Sequence, residues 1–523
     1  MIIITQLVSA LAPLLAKDNR LKVGLAVAAL VVHRFWGRAP GTRRRKDLKG
    51  PWEWPILGGL ITMATVPPSD MLNFLTRMDD TYGPVWTVSI PGVGRLITID
   101  SPELVEYCLK TNFWNYEKGE DMRVRCEVLF GHGIFTADGD NWRFQRKLAS
   151  HIFTVRAFRE YTNDVFVLEA MKVVNLLGQA ADEGLEIDFQ ELMHKFTLDA
   201  FGVVSFGKSF GCLDSLDHEP EFAVAIDKMM ALLTERMFDP LWKVTERFTE
   251  RGQQFQRLQK LVQQYSIDVI RERRECGIQE GSYKPFNVLG DRKDLLQMIM
   301  ETTDGEGNPL SDDMIKDMVL NYTLAARDTT AQALTWLFFN LLKADADSEV
   351  LNRLVDEIDS VFQGNTPTYE THKRQKWGEA CLFETLRLYP VVPRNMKRCI
   401  SDDILPDGTR VYEGEFVSWS TWAMGRQESI WGPDARQFRP ERWLNSEKPS
   451  QGKFSSFHVG PRVCLGQQFA IIESMVLLAL VFQRFTFEMV DPNRGDDYEL
   501  SFTLPMAKGL LVRVKRRQDV STH

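Results

Sequence analysis

Phe457-His458-Val459-Gly460-Pro461-Arg462-Val463-Cys464-Leu465-Gly466 is the stretch on which the reading of this chain turns. A cysteine that presents sulfur to a metal as an anion needs a lowered thiol pKa and lone pairs held by fixed donors. Cys464 precedes a long apolar run, Gln468 to Phe482, whose composition predicts a helix. A helix N-terminus carries partial positive charge, which favours thiolate over thiol. Gly460 and Gly466 let the backbone pass where a side chain would strike a flat macrocycle, and they give the loop access to positive φ. Arg462, two residues before the cysteine, offers a planar fork suited to a carboxylate such as a haem propionate. Phe457 is placed to pack on a porphyrin or to keep water from the sulfur. The stretch thus reads as a loop holding haem iron, with Cys464 as the metal ligand. Thiolate ligation pushes electron density toward iron and favours O–O cleavage, so the chemistry indicated is oxygen activation rather than oxygen storage or electron transfer.

With aromatic residue, both glycines, arginine and cysteine in place, the stretch resembles the haem-binding loop of the cytochrome P-450 family. A lone Cys-x-Gly would carry no weight, because buried cysteine is most often structural. The complete pattern is specific.

The chain has 523 residues, 44% of them hydrophobic and 26% charged, which suits one large globular domain or two. A net charge of −8 gives no electrostatic basis for a nucleic-acid partner. Seven scattered cysteines, with no Cys-x-x-Cys pair, supply neither a disulfide framework nor a zinc site. The soluble part is therefore expected in a reducing compartment.

At the N-terminus, Ile2 to Ala16 is mostly apolar, Lys17 to Arg20 interrupts it, and Leu21 to Trp36 resumes it. Neither piece alone reaches the roughly 20 residues that cross a bilayer; together they do, or the second lies partly in the interface. A cleaved signal peptide is the competing reading, weakened by the absence of a basic residue before the apolar run. Arg38 and the cluster Arg43-Arg44-Arg45-Lys46 should stay on the cytoplasmic side. The Pro- and Gly-rich segment from Gly50 to Gly59 then stops the anchor helix and aims the catalytic domain. The expected division is residues 1–50, a membrane anchor and linker, and residues 51–523, the catalytic domain. This order resembles microsomal members of the family, which implies an endoplasmic reticulum membrane location with the catalytic domain facing the cytosol.

Pro84 to Ile99 alternates like a hairpin around Pro91-Gly92-Val93-Gly94. Beyond it the sequence is mainly helical. Gly131-His132-Gly133 lacks a third glycine and a preceding strand, so no dinucleotide fold is visible and electrons must come from another protein. Trp142 and Arg146, at i and i+4, share a helix face. On its own the pair reads as a surface helix with a buried tryptophan; beside the Cys464 loop it resembles the family's propionate clamp. Arg143 and Lys147 would then point outward as a dock for an acidic reductase surface.

Ser311 suits a helix N-cap, with Asp312 and Asp313 in the first turn where the dipole favours acids. The helical pattern runs to about Lys343, about 45 Å at 1.5 Å per residue. Inside it, Ala325-Ala326-Arg327-Asp328-Thr329-Thr330 interrupts an apolar run. Either Thr329 bonds back to a carbonyl with Asp328 in solvent, or these groups open the helical ladder into a groove for dioxygen and water. Cleaving O–O needs protons delivered to the departing oxygen, which a hydroxyl fed by a carboxylate accomplishes. The segment resembles the family's oxygen-activation motif, which implies Asp328 as proton relay and Thr329 as the hydroxyl. Ala326 stands where glycine is commoner.

Glu384 and Arg387, at i and i+3 on a helix from about Trp377 to Leu388, with Arg442 of Pro440-Glu441-Arg442-Trp443, resemble the family's structural Glu-x-x-Arg and Pro-Glu-Arg-Trp elements. Arg398 falls where a third propionate arginine is implied. Leu405-Pro406-Asp407-Gly408 reads as a turn into strands that include Phe416 to Thr421.

The resemblance covers nearly everything after residue 50 and implies a mainly α haem-thiolate fold with small β-sheets, binding haem b. The stretches Ala325 to Trp336, Ile404 to Gly408, Ala423 to Arg426 through Ile430 to Trp443, Asp138 to Trp142 and Arg146 to His151 resemble those of fungal alkane-inducible and plant fatty-acid hydroxylases. Hydroxylation of a fatty acid or n-alkane at or near the terminal methyl is therefore implied. O2, a lipophilic substrate and an NADPH-cytochrome reductase are the implied partners, with a cytochrome b-type donor as a further source of electrons. Pocket positions implied are Phe113 to Ile134, Phe206 to Phe238, Leu324 and Ala325, Val391 to Arg394 and Thr503 to Met506. Sterol, terpenoid or xenobiotic oxidation is the runner-up. A haem-thiolate isomerase or dehydratase, which needs no proton relay, is opposed by Asp328 and Thr329. A haem sensor is opposed by the absence of His, Met or Cys between Leu320 and Gln332.

Overall fold

The computed structural model describes residues 19–152, 162–239, 241–278, 294–304, 307–343, 346–444 and 447–517. Its longer helices are α1 (Asn19–Arg34), α2 (Met71–Tyr82), α3 (Glu120–Phe130), α4 (Gly139–Ile152), α5 (Asn163–Glu183), α6 (Phe189–Phe206), α7 (Glu221–Phe238), α8 (Glu250–Ile278), α9 (Asp312–Leu342), α10 (Ser348–Phe362), α11 (Lys376–Leu388) and α12 (Gln467–Phe482). The fold is mainly helical, with its strands gathered in small sheets.

The largest sheet has five strands, in the order β1 (Val85–Ile90), β2 (Gly94–Ile99), β8 (Phe416–Ser420), β5 (Arg394–Cys399) and β3 (Tyr116–Glu117). The expected hairpin forms its edge, Val85 opposite Ile99 and Ile90 opposite Gly94. β8 joins β2 in parallel and β5 antiparallel, so the strand after the Leu405–Gly408 turn reaches the hairpin across about 300 residues of chain. A second sheet pairs β4 (Glu186–Asp188), β10 (Leu511–Arg516) and β9 (Phe485–Met489); β6 (Asp403–Ile404) and β7 (Arg410–Val411) make a short ribbon.

α9 is the axis of the molecule. Ser311 caps it, its hydroxyl accepting from the Met314 N–H at 3.3 Å, with Asp312 and Asp313 in the first turn. From Met318 to Leu341 it is buried everywhere except at Ala325, Ala326 and Thr329. A helix buried on all sides is packed by neighbours on all sides. α6 lies along it, α12 and α11 pack against its second half, and the stacked rings of Trp336 and Tyr389, 4.3 Å apart, tie it to the end of α11. The helix is continuous over Asp312–Leu342, so the expected opening of its ladder at Ala325 to Thr330 is not observed. Thr329 instead bonds back within it.

Residues 39–50, expected as linker, already pack on the catalytic domain. The Ala39 N–H donates to Ser89 Oγ at 3.0 Å, and buried Arg45 pairs with Glu415 at 2.7 Å. A Cβ on Gly50 would meet the Thr87 carbonyl at 2.1 Å, so only glycine permits that approach. Of the apolar N-terminal runs, Ile2 to Ala16 lies outside the described residues. The second forms α1, with Leu25, Val27, Leu30 and Val32 exposed. Among the described residues no helix is long and apolar enough to cross a membrane.

Candidate active site

The cysteine loop is held from both sides. The Cys464 N–H donates to the Phe457 carbonyl at 2.8 Å, closing the loop just before α12 begins at Gln467. Gly460 has φ +67°, and a Cβ there would lie 2.2 Å from the Leu109 carbonyl oxygen. The expected positive φ is observed, and a neighbouring segment of chain by itself demands glycine there. Gly466 has an ordinary φ of −82°, and a Cβ on it would meet only the Cys464 sulfur, at 3.9 Å. Gly466 therefore keeps the approach to the sulfur open. Phe457 packs among Phe383 and Phe454, with centroids 6.4 and 6.3 Å away.

Cys464 is the exposed member of the six described cysteines. Burial raises its thiol pKa, opposed by the backbone N–H groups of Gly466 and Gln467 and by the Arg146 charge. The helix-start donors are present as expected, but by themselves they do not favour the thiolate. A cationic metal supplies what is missing, because a coordinating thiol is deprotonated outright.

Arg146 joins this loop to α9, since its charge is felt by both Cys464 and Tyr322. One turn beyond Tyr322 come Ala325, Ala326 and Thr329, the three positions at which α9 is not fully buried. Their i, i+1, i+4 spacing puts them on one face. The exposed Cys464 and these part-exposed α9 positions, with Arg146 near both, are read as two walls of one cleft.

Trp142 is buried on α4 between Phe113, at 5.3 Å, and the Arg462 guanidinium, 4.5 Å from its ring. Arg143 and Lys147 are exposed on the other face, as expected. Arg462 donates to the Ala137 carbonyl at 2.8 Å and to Asp138 at 2.7 Å, while its Nε is buried without a partner among the described residues. Arg398, expected as the third propionate arginine, is turned elsewhere. On β5 alternate residues face opposite sides. Lys397 and Cys399 face Trp419 and the cysteine loop, whereas Arg394, Met396 and Arg398 face away. Arg398 runs over Gly119, where a Cβ would lie 3.1 Å from its Cδ. In its stead Lys397 carries a fully buried Nζ with no partner among the described residues, and Lys118 lies close enough to share the field of Arg462. Burial, then Arg462 and Lys118, push the Lys397 ammonium well down, and burial holds Lys118 at about 8. Basic side chains crowded so that each disfavours the others' charge would regain it beside an anion, and the two carboxylates of haem would fit there. Sequence spacing missed both lysines; the strand alternation of β5 could have found Lys397.

Arg394 lies near the buried pair Asp79 and Asp100 and donates to Ser418 Oγ at 2.8 Å, so it serves the sheet and not the cleft. Asp328 is buried, with 7% of its side chain exposed, and accepts from Arg327 Nη1 at 2.8 Å. Burial raises its carboxyl pKa to about 6, with Arg327 pulling the other way. Thr329 Oγ donates to the Ala325 carbonyl at 2.6 Å, leaving its lone pairs toward the cleft. One half of the structural alternative is therefore real, since the hydroxyl does bond back, but Asp328 is not in solvent.

The element expected to be structural is so. Glu384 and Arg387 are fully buried and joined by two bonds of 2.7 and 2.8 Å, and Glu384 also accepts from Arg442 at 3.3 Å and Trp443 at 3.0 Å. Arg387 spends its remaining donors on the carbonyls of Gly425, Ala435 and Gln437.

Residues 48–512 match the family model for Cytochrome P450. Among similar proteins, "Cytochrome P450 monooxygenase cyp1" of Mycosarcoma maydis is 36% identical over 516 residues, covering 95% of this chain and 80% of that protein. "Cytochrome P450 704B1" of Arabidopsis thaliana is 33% identical, covering 94% and 99%. "Cytochrome P450 704C1" of Pinus taeda is 36% identical, covering 88% and 92%. A match over this much of the chain means that the chain belongs to the cytochrome P450 family and is a haem-thiolate monooxygenase supplied with electrons by a redox partner.

Proposed function

We propose that this monooxygenase hydroxylates fatty acids or n-alkanes at or near the terminal methyl, with electrons from a separate NADPH reductase, at the cytosolic face of the endoplasmic reticulum membrane. The observation that carries the substrate class is the buried apolar cluster where α3, α7 and α9 meet, next in sequence to the part-exposed positions of α9. Leu129 of α3, Phe222, Ile226, Met229 and Leu233 of α7, and Leu320 and Leu324 of α9 pack together, with Phe130 and Phe502 at its edge. An alkyl chain needs such a lining and no charge within it. Further support comes from the stretches that resemble alkane and fatty-acid hydroxylases. Trp36, Trp52, Trp54 and Ile61, exposed around the basic cluster, suit a membrane interface.

Bound haem supplies the iron at which dioxygen is reduced and cleaved. Cys464 holds it through sulfur, with Phe457 packed beside the loop. Trp142, Arg146, Arg462 and Lys397 would hold the propionate side. Asp328 is the group that exchanges a proton, and Thr329, whose O–H is donated to the Ala325 carbonyl, offers its oxygen as a hydrogen-bond acceptor. The buried surroundings of α9 keep bulk water from the same place.

Binding difference spectra of the purified enzyme with graded fatty acids, alkanes and a sterol test the substrate. A low-to-high-spin shift that strengthens with chain length is expected. A shift with the sterol alone overturns the lipid-chain reading in favour of a polycyclic substrate. For the propionate side, Lys397→Met is expected to weaken haem retention by roughly 10- to 100-fold, in the range seen for supporting groups around a metal. Arg398→Met is expected to leave it unchanged. Haem content after dialysis against apomyoglobin measures both, and equal retention would return the role to Arg398.

A further inference from the structure

The Asp328 carboxyl shares its cation with a residue one hundred positions earlier. Arg327 is buried, with 3% of its side chain exposed, and grips Asp227 of α7 with two bonds, Nη1 to Oδ1 at 2.6 Å and Nη2 to Oδ2 at 2.9 Å. The same Nη1 also donates to Asp328 at 2.8 Å. Asp227 thus holds the bidentate position, and Asp328 receives a single, shared donor. Asp227 is 54% exposed and meets solvent, whereas Asp328 does not.

This arrangement decides how Asp328 titrates. An arginine that gave a carboxylate both its donors in a buried site would lock it as an ion pair. A carboxylate so locked neither takes up nor gives a proton near neutral pH. Asp227 draws the fork away and adds a negative charge that disfavours a second one nearby. Other groups around the site do not provide this. His194 of α6 is pushed down to about 3 by burial and by Arg327, so it stays neutral. Thr197 of α6 accepts nothing from the pair; its hydroxyl donates to the Arg327 carbonyl at 2.9 Å. Cys212 is a buried thiol held well above its ordinary range, and burial does the same to the Glu473 carboxyl of α12, which faces Thr330.

We propose that Asp227 is a positioning residue for proton delivery: by holding Arg327 from α7 it prevents that guanidinium from pairing fully with Asp328 and so keeps the Asp328 carboxyl exchangeable. The proposal rests on Asp328 being the proton relay. Because Asp227 lies on α7, whose apolar face packs against α9 through Leu320 and Leu324, a movement of that helix changes the grip on Arg327 and with it the relay.

The test uses the full-length haem-loaded enzyme. Infrared difference spectra of the resting ferric protein follow the C=O stretch of protonated Asp328, assigned by its loss in Asp328→Asn. In the unaltered enzyme this band is expected to be half lost near pH 6, where burial places the carboxyl. In Asp227→Asn, which loses the bidentate grip at a half-exposed position, the midpoint is expected to move to lower pH by at least ~1 unit, and Asp227→Glu to restore it. A retained reduced-CO band in each variant shows an intact haem site. Peroxide released per NADPH consumed should rise in Asp227→Asn as in Asp328→Asn. An unshifted midpoint in Asp227→Asn, with Asp328→Asn impaired, overturns the role of Asp227 and leaves the relay standing. Full coupling in Asp328→Asn overturns the relay itself.

Discussion

Replacing Cys464 with alanine is expected to abolish the reduced-CO Soret band at the red position typical of thiolate ligation, and monooxygenase activity with it. Nothing nearby among the described residues can stand in for the sulfur. The other five described cysteines are buried, with Cys108, Cys212 and Cys381 pushed far above the ordinary thiol range by desolvation. His458, six residues earlier, has its ring against Trp419, 5.6 Å between centroids, and its Nδ1 already accepts from the Val459 N–H at 2.8 Å. The loop itself should survive, because its closing bond from the Cys464 N–H to Phe457 and the close passage of Gly460 past Leu109 involve backbone alone. An unchanged band in Cys464→Ala would remove this residue as the iron ligand.

Arg387→Ala is expected to be the most destabilising single change outside the cysteine loop. Its guanidinium and the Glu384 carboxylate are both 0% exposed, so removing the cation strands a buried charge that cost much to desolvate. Breaking one partner of such a pair costs ~3–5 kcal/mol. The loss here lies at the upper end, since the carbonyls of Gly425, Ala435 and Gln437 also lose their donor. Because the segment from Gly425 to Trp443 leads to the cysteine loop, the variant should unfold at lower denaturant and bind haem poorly. Glu384→Gln keeps the side-chain volume and one acceptor oxygen, so it retains the bond from Arg442 or the bond from Trp443 but not both, and should be milder. Equal midpoints for Arg387→Ala and the unaltered protein in urea unfolding would show that the buried pair does not hold this region.

Much of the fold was legible because its signals are local. Ser311 with two acids predicts the start of α9, alternation around Pro91 to Gly94 predicts the hairpin, and the apolar run after Cys464 predicts α12. The spacing of Cys464, Arg462 and the two glycines is enough to identify the loop. Trp142 and Arg146 are placed by helical periodicity. So is the separation of exposed Arg143 and Lys147 from their buried neighbours.

What the sequence by itself determined, then, is which segments are helices and strands and where the thiolate and the hydroxyl of Thr329 stand along the chain. These depend on residues within a few turns of each other, and short-range sterics and periodicity control them. Tertiary structure alone decided which cations face the cleft and what each carboxylate meets. Lys397 and Arg398 are equally basic neighbours, and only the pairing of β5 with β8 and β3 turns one inward and the other out. Gly460 is required by Leu109, about 350 residues away in the chain. Asp328 shares Arg327 with Asp227 because α7 brings that residue to it. Each of these depends on two distant segments being packed together, and electrostatic and steric terms at such contacts depend on distance in space, which no spacing along the chain records.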